Sequence, residues 1–109
     1  SAAVPRNVKY CFLAITKESL ANVVRHSNAT RVSLYFCEHP GFYQMLVEDN
    51  GTDIKVKEAQ IAKAQVSGIG LSNMRERVEA LGGTIAFLTD KGFEIRISVP
   101  KMSKTRGTR

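Results

Sequence analysis

GIGLSNMRERVEALGG, residues 68–83, sets Leu71, Met74, Val78 and Leu81 at intervals of three and four, the spacing of a helix with one buried face. Gly82 and Gly83 end that helix, because helices commonly stop on a left-handed residue, a conformation glycine adopts without steric cost. At the other end, Gly68 and Gly70 allow a backbone to approach a ligand closely, and the free N–H groups of a helix start attract anions. Glycine also simply ends loops, but this position predicts a phosphate site. It is neither a P-loop, which needs a Gly-Lys pair followed by Ser or Thr, nor a dinucleotide fingerprint, which needs a preceding strand.

The flanks supply the rest of a two-layer domain. After the helix, TIAFLT, a DKG turn and FEIRISV predict a hairpin in which Phe93, Ile95, Ile97 and Val99 alternate with Glu94, Arg96 and Ser98. Before it, residues 51–67 (GTDIKVKEAQIAKAQVS) have room for a short helix but little periodic core signal, which predicts a mobile surface segment. Earlier still, Val32, Leu34 and Phe36 alternate in RVSLYF, EHPG supplies turn chemistry, and Tyr43, Met45, Val47 and Asp49 alternate in FYQMLVED. Residues 7–27 place Val8, Phe12, Ile15, either Ser19 or Leu20, and Val23 at helical spacing, with Pro5 where a first turn tolerates it. Helix, hairpin, loop, helix, hairpin is the order of a two-layer α/β sandwich, one face of a mainly antiparallel sheet covered by helices.

Composition narrows the function. With 109 residues, 43% apolar and 24% charged, the chain is a single globular domain that needs no disulfide, and Cys11 and Cys37 both sit in apolar runs. The net charge of +6 suggests nucleic acid until its distribution is read. Four of the sixteen basic residues (Lys101, Lys104, Arg106 and Arg109) fall in residues 101–109, leaving twelve basic against ten acidic before them. The excess is thus mostly a basic tail, expected to be disordered, and a nucleic-acid partner is not expected. No apolar run reaches the ~18 residues that span a bilayer, and the start does not read as a signal peptide, so a cytoplasmic domain is expected, compatible with a membrane-bound parent.

Two polar constellations stand out from this scaffold. Glu18, Asn22 and His26 recur every four residues along the first helix, with Arg25 beside them and Leu20, Val23 and Val24 around them. A solvated helix face would read the same way; on a helix turned to a core, the amide and carboxylate oxygens suit a hard cation such as Mg²⁺. Asp49, before Asn50-Gly51, shares the side of Tyr43, Met45 and Val47. As a bland reading it makes an Asx turn; at the inner edge of a sheet, a carboxylate needs a donor such as an exocyclic amine.

In order and separation, ESLANVVRHSNA, VEDNG and GIGLSNMRERVEALGG resemble the three sequence boxes of the ATP-binding fold shared by sensor histidine kinases, gyrase-type topoisomerases, Hsp90 chaperones and MutL proteins. GLSNMRERVEALGG is most similar to the sensor kinases whose response regulators carry helix-turn-helix output domains. The resemblance runs from about Pro5 to Pro100 and implies a Bergerat-type fold with a mixed, mainly antiparallel sheet, binding ATP and Mg²⁺. By position it implies Asn22 as the Mg²⁺ ligand, Asp49 as acceptor for the adenine amine with Gly51 behind it, and Arg25 and His26 along the nucleotide. Gly68, Gly70 and Leu71 would wrap the triphosphate, Glu18 would be the acid–base residue, and residues 52–67 the lid.

The chain departs from the pattern at Lys17, where glutamine is frequent, at Asp53, where glycine is frequent, and at Phe93, where threonine usually contributes a hydroxyl to the adenine pocket. The last change removes a hydrogen bond worth roughly 1 kcal/mol. The first strand expected before Pro5 is missing or reduced to SAAV. The implied activity is that of a histidine kinase catalytic domain (residues 1–100), monomeric by itself and inactive without its acceptor. It would phosphorylate a histidine on a separate dimerisation domain of the same parent, with a response regulator as indirect partner. A degenerate nucleotide-binding scaffold and an anti-sigma-type serine kinase are the alternatives.

Overall fold

The computed structural model describes residues 4–52, 70–89 and 92–101. The elements are α1 (Arg6–His26), β1 (Val32–Glu38), β2 (Phe42–Asp49), α2 (Gly70–Ala80), β3 (Thr84–Leu88) and β4 (Phe93–Pro100). Three antiparallel ladders give the strand order β1-β2-β4-β3, with β1 and β3 outermost among the described residues. Both helices lie against the sheet, which makes the predicted two-layer α/β sandwich. All of the expected lid but Thr52, with Asp53 in it, and Gly68, most of SAAV and residues 102–109 of the tail lie outside the described residues.

α1 starts after Pro5, whose carbonyl accepts from Lys9 N–H at 3.0 Å, and ends where Ser27 turns extended while its N–H still donates to Val23 O at 3.1 Å. Val8, Cys11, Phe12, Ile15 and Ser19 form its buried stripe. Between the two candidates for the fourth position the fold takes Ser19, and Leu20 is 41% exposed. Val24 is also exposed, so the apolar residues around Glu18 and Asn22 do not all face the core as the sequence suggested; the helix is wider than the one stripe the sheet covers. α2 stops as expected: Gly82 takes φ +76° and Gly83 N–H reaches back to Val78 O at 3.0 Å.

Strand alternation sends Tyr43, Met45, Val47, Phe93, Ile95, Ile97 and Val99 into one core with Met74 and Val78 of α2. Fully burying one such side chain contributes ~1.5–3 kcal/mol. β1 differs. Phe36 touches Phe12 edge-on at 5.7 Å between ring centres, yet Leu34 and Phe36 stay about half exposed, because α1 covers β2 and overhangs the edge strand only in part. Lys101, assigned by its charge to the tail, belongs to the fold: its N–H donates to Gly41 O at 2.9 Å and its Nζ pairs with Glu38 Oε2 at 2.8 Å.

Both cysteines are free. Burial pushes the Cys11 thiol above its ordinary value, by more than the nearby Arg77 guanidinium lowers it. A folded-state pKa raised above the unfolded one stabilises the fold at low pH, and that contribution is lost as pH rises through the folded value. Titration with a thiol reagent near neutral pH is therefore expected to give one fast thiol, Cys37, and one slow thiol, Cys11, which becomes fast only on unfolding or in strong alkali.

Candidate functional site

After Asp49 closes β2, the chain bends back onto its side chain, Gly51 N–H donating to Asp49 Oδ1 at 2.8 Å. This Asx turn is laced to the segment that follows α1. Asn50 Oδ1 accepts from the N–H groups of Thr30 and Arg31 at 2.8 and 2.9 Å, and Asn50 Nδ2 donates to Thr30 Oγ1 at 2.9 Å. Asn28 and Thr52 exchange two further bonds of 2.9 Å. Asn50-Gly51 is therefore no hairpin tip; it clamps the end of β2 to the C-terminal end of α1.

Two glycines make the clamp possible. A Cβ on buried Gly51 would lie 2.6 Å from Ser27 Oγ, 3.0 Å from Asp49 Oδ1 and 3.2 Å from Asn28 Oδ1. On Gly92, at φ +155°, it would collide with the Asp49 carbonyl. Asp49 is thus crowded on its backbone side while its second carboxylate oxygen makes no hydrogen bond among the described residues.

On α1, Glu18 and Asn22 are half buried, one turn apart. Arg25 Nη2 lies 3.6 Å from Glu18 Oε2, a pair too exposed to contribute much stability. The Asn22 amide has no partner among the described residues, and neither has the buried Ser19 hydroxyl, one position past Glu18. An orphaned buried hydroxyl is uncommon and is normally satisfied by water or ligand. His26 closes α1 and Gly70 opens α2; the side chains of His26 and Leu71, and all of Gly68, lie outside the described residues.

A cleft of about 390 Å³ opens where β2, β3 and β4 end, with Asp49, Leu88, Gly92 and Phe93 in its walls beside the Glu94–Arg96 ion pair at 2.8 Å. Phe93 is buried and stacks parallel to Phe87 at 6.2 Å, and Arg75 of α2 lies 5.5 Å over the Phe87 ring. Where a hydroxyl was expected, the wall is aromatic. Sequence reasoning named Ser19 only as a candidate for the buried stripe and missed the Ser27-Asn28 and Thr30 clamp; a serine on an otherwise apolar stripe was the available signal for an unpaired hydroxyl.

A family model described as histidine kinase-, DNA gyrase B- and HSP90-like ATPase matches residues 12–103. The chain belongs to this ATPase family. Among curated relatives, the sensor protein VraS of Staphylococcus haemolyticus is 34% identical over 99 residues, covering 89% of this chain and 27% of VraS. The histidine-protein kinase/phosphatase UhpB of Salmonella typhimurium is 30% identical over 99 residues, covering 91% of this chain and 19% of UhpB. The ATPase domain described here thus spans about a quarter or less of these relatives. Among solved structures, the ATP binding domain of PrrB from Mycobacterium tuberculosis superposes with a TM-score of 0.69 at 22% identity, over 86% of this chain and 69% of that one. A blue-light activated histidine kinase of Erythrobacter litoralis gives 0.71 at 23% identity, over 89% and 34%. At these identities the likeness establishes a shared fold, the ATP-binding fold of histidine kinases.

The residues present fit ATP and Mg²⁺. A carboxylate with one oxygen unpaired among the described residues and an orphaned buried hydroxyl suit a polar, hydrogen-bonding ligand. Among the described residues there is no cluster of three or more His, Cys, Asp or Glu side chains that would cage a metal. A hard cation at Asn22 would share its shell with phosphate oxygens, as Mg²⁺ commonly does.

Proposed function

We propose that this domain binds Mg·ATP and passes the γ-phosphoryl group to a histidine on a separate dimerisation domain of its parent protein, the first step of two-component signalling. The observation that carries the reading is the clamp: it holds a carboxylate, with one oxygen unpaired among the described residues, beside the helix that bears Glu18, Asn22 and Arg25. Asp49 accepts the adenine amine and sets the depth of the base. Asn22 would hold Mg²⁺ through its amide oxygen, and the metal would supply charge neutralisation on the phosphates. Gly68, Gly70 and the start of α2 offer N–H groups to the triphosphate. Arg25, released from Glu18, turns to the phosphates, with His26 beside it. Glu18 takes the proton from the acceptor imidazole as its nitrogen bonds to phosphorus and the bond to the ADP oxygen breaks.

Support for a kinase comes from VraS and UhpB, named a sensor protein and a histidine-protein kinase/phosphatase. Phe93 favours one second reading, a nucleotide-binding scaffold of reduced affinity, because the hydroxyl that the resemblance implies at that position is gone. Calorimetric titration with Mg·ATP and ADP separates the two. The kinase reading expects saturable micromolar-to-millimolar binding that weakens when EDTA removes the metal. No heat of binding at millimolar nucleotide refutes it.

A further inference from the structure

Ser19 interrupts the apolar stripe of α1. It is 3% exposed, and its Oγ has no hydrogen-bond partner among the described residues. Two contacts place it over the sheet. Thr16 Oγ1 lies 3.8 Å from Met45 Sδ, and at the end of the helix Ser27 Oγ lies 2.6 Å from the Cβ position of Gly51. α1 therefore runs in the direction of β2, so that Ser19 stands at the level of Val47, with Asn22 and Val23 at that of Asp49. In the ladder to β4, Ile95 pairs with Val47 and Phe93 with Asp49. Ile15, Val47, Phe93 and Ile95 are all buried and apolar. Ser19 and Asp49 are thus the polar groups of an apolar wall, one same-face step of ~7 Å apart along β2.

We infer that Ser19 is a second base-reading residue: its hydroxyl donates, directly or through one bridging water, to N1 of adenine, the ring acceptor beside the amine that Asp49 accepts. The inference rests on the proposed ATP site. Phosphates held by Asn22, Arg25 and the start of α2 turn the sugar-bearing edge of the base toward those residues. The opposite edge of the base, which carries N1, then enters deepest, on the side of Asn22 where Ser19 is closed off from solvent. Phe93 and Ile95 offer that edge apolar contact and no hydrogen bond, so the hydroxyl is the group of the wall that matches a ring nitrogen.

A buried hydroxyl without a partner destabilises the nucleotide-free domain, and a ligand acceptor removes that cost on binding. Serine at this position therefore acts in opposite directions on the empty and the occupied domain. A serine that only supported the fold would do the reverse: its loss would lower the melting temperature and leave the choice between nucleotides unchanged.

Calorimetric titration of the chain and of Ser19→Ala with Mg·ATP and with 1-deaza-ATP, in which a C–H replaces N1, tests the assignment as a cycle between one protein group and one ligand atom. Ser19→Ala is expected to weaken Mg·ATP binding about 3- to 10-fold, the size of one neutral hydrogen bond, and to keep or raise the melting temperature of the nucleotide-free domain. 1-Deaza-ATP is expected to bind the parent weaker than ATP by about the same factor, and to bind parent and alanine variant within about twofold of each other. Parent and variant that favour ATP over 1-deaza-ATP to the same degree overturn the inference and leave the ATP site standing. A parent that binds both nucleotides equally overturns it without recourse to the variant, and so decides even if Ser19→Ala does not fold. No binding of ATP by the parent overturns this inference and the proposed function together.

Discussion

Glu18→Gln is expected to lower phosphoryl transfer to a supplied dimerisation domain about 10²–10⁴-fold, the usual contribution of a positioned general base. Affinity for Mg·ATP is expected to stay within about twofold, because proton removal from the acceptor belongs to the transition state and not to the ground-state complex. The substitution keeps the shape of the side chain and cancels its charge, so the 3.6 Å approach to Arg25 loses its electrostatic part. With both groups substantially exposed, the fold barely registers that loss. Freed from Glu18, Arg25 remains available to phosphate, which also argues against weaker binding. Radiolabelled ATP, the domain and its parent's dimerisation domain suffice for the measurement. Full transfer by the glutamine variant would show that Glu18 is not the base, and a parallel loss of binding would make it a positioning residue.

How much of this arrangement the sequence carries depends on whether the determining pattern is local. The spacing of Val8, Phe12 and Ile15 fixes a helical face, and the period-two alternation of Phe93, Ile95, Ile97 and Val99 fixes a strand face. Those signals also placed Asp49 on the core side of β2. Edge position is not local. Val32, Leu34 and Phe36 alternate as regularly as Tyr43, Met45 and Val47, yet only the second set is covered, because β2 lies between two strands beneath α1 and β1 does not. Helix phase was also ambiguous at Ser19 and Leu20. A four-residue step from Ile15 puts the serine hydroxyl inside and the leucine at the rim, against the hydropathy of both. The clamp was half legible. Asn50-Gly51 is recognisable turn chemistry, but its partners Asn28, Thr30 and Arg31 lie about 20 residues away and follow only from the pairing of β1 with β2.

The clamp gives Asp49→Asn its expected effect. In the parent, one carboxylate oxygen accepts the Gly51 N–H, and in the proposed function the other accepts the adenine amine. Asparagine has one acceptor and one donor in the same two places. If its oxygen stays with Gly51, its NH₂ faces the amine; if it flips, its NH₂ faces the Gly51 N–H. Either way a donor meets a donor, and the charge is lost as well. Loss of a charge-assisted hydrogen bond costs about 1.5–3 kcal/mol, so affinity for Mg·ATP is expected to fall about 10- to 150-fold. The melting temperature should move little, since Asp49 is only half buried and the Asn50 clamp remains. A second readout separates base recognition from a general loosening of the site. Guanine presents a carbonyl oxygen where adenine has its amine, so the Asp49 carboxylate repels GTP while the NH₂ of the asparagine variant can donate to it. The ratio of ATP to GTP affinity is therefore expected to fall by more than ATP affinity alone. Equal weakening of both nucleotides would move the base-reading role away from Asp49.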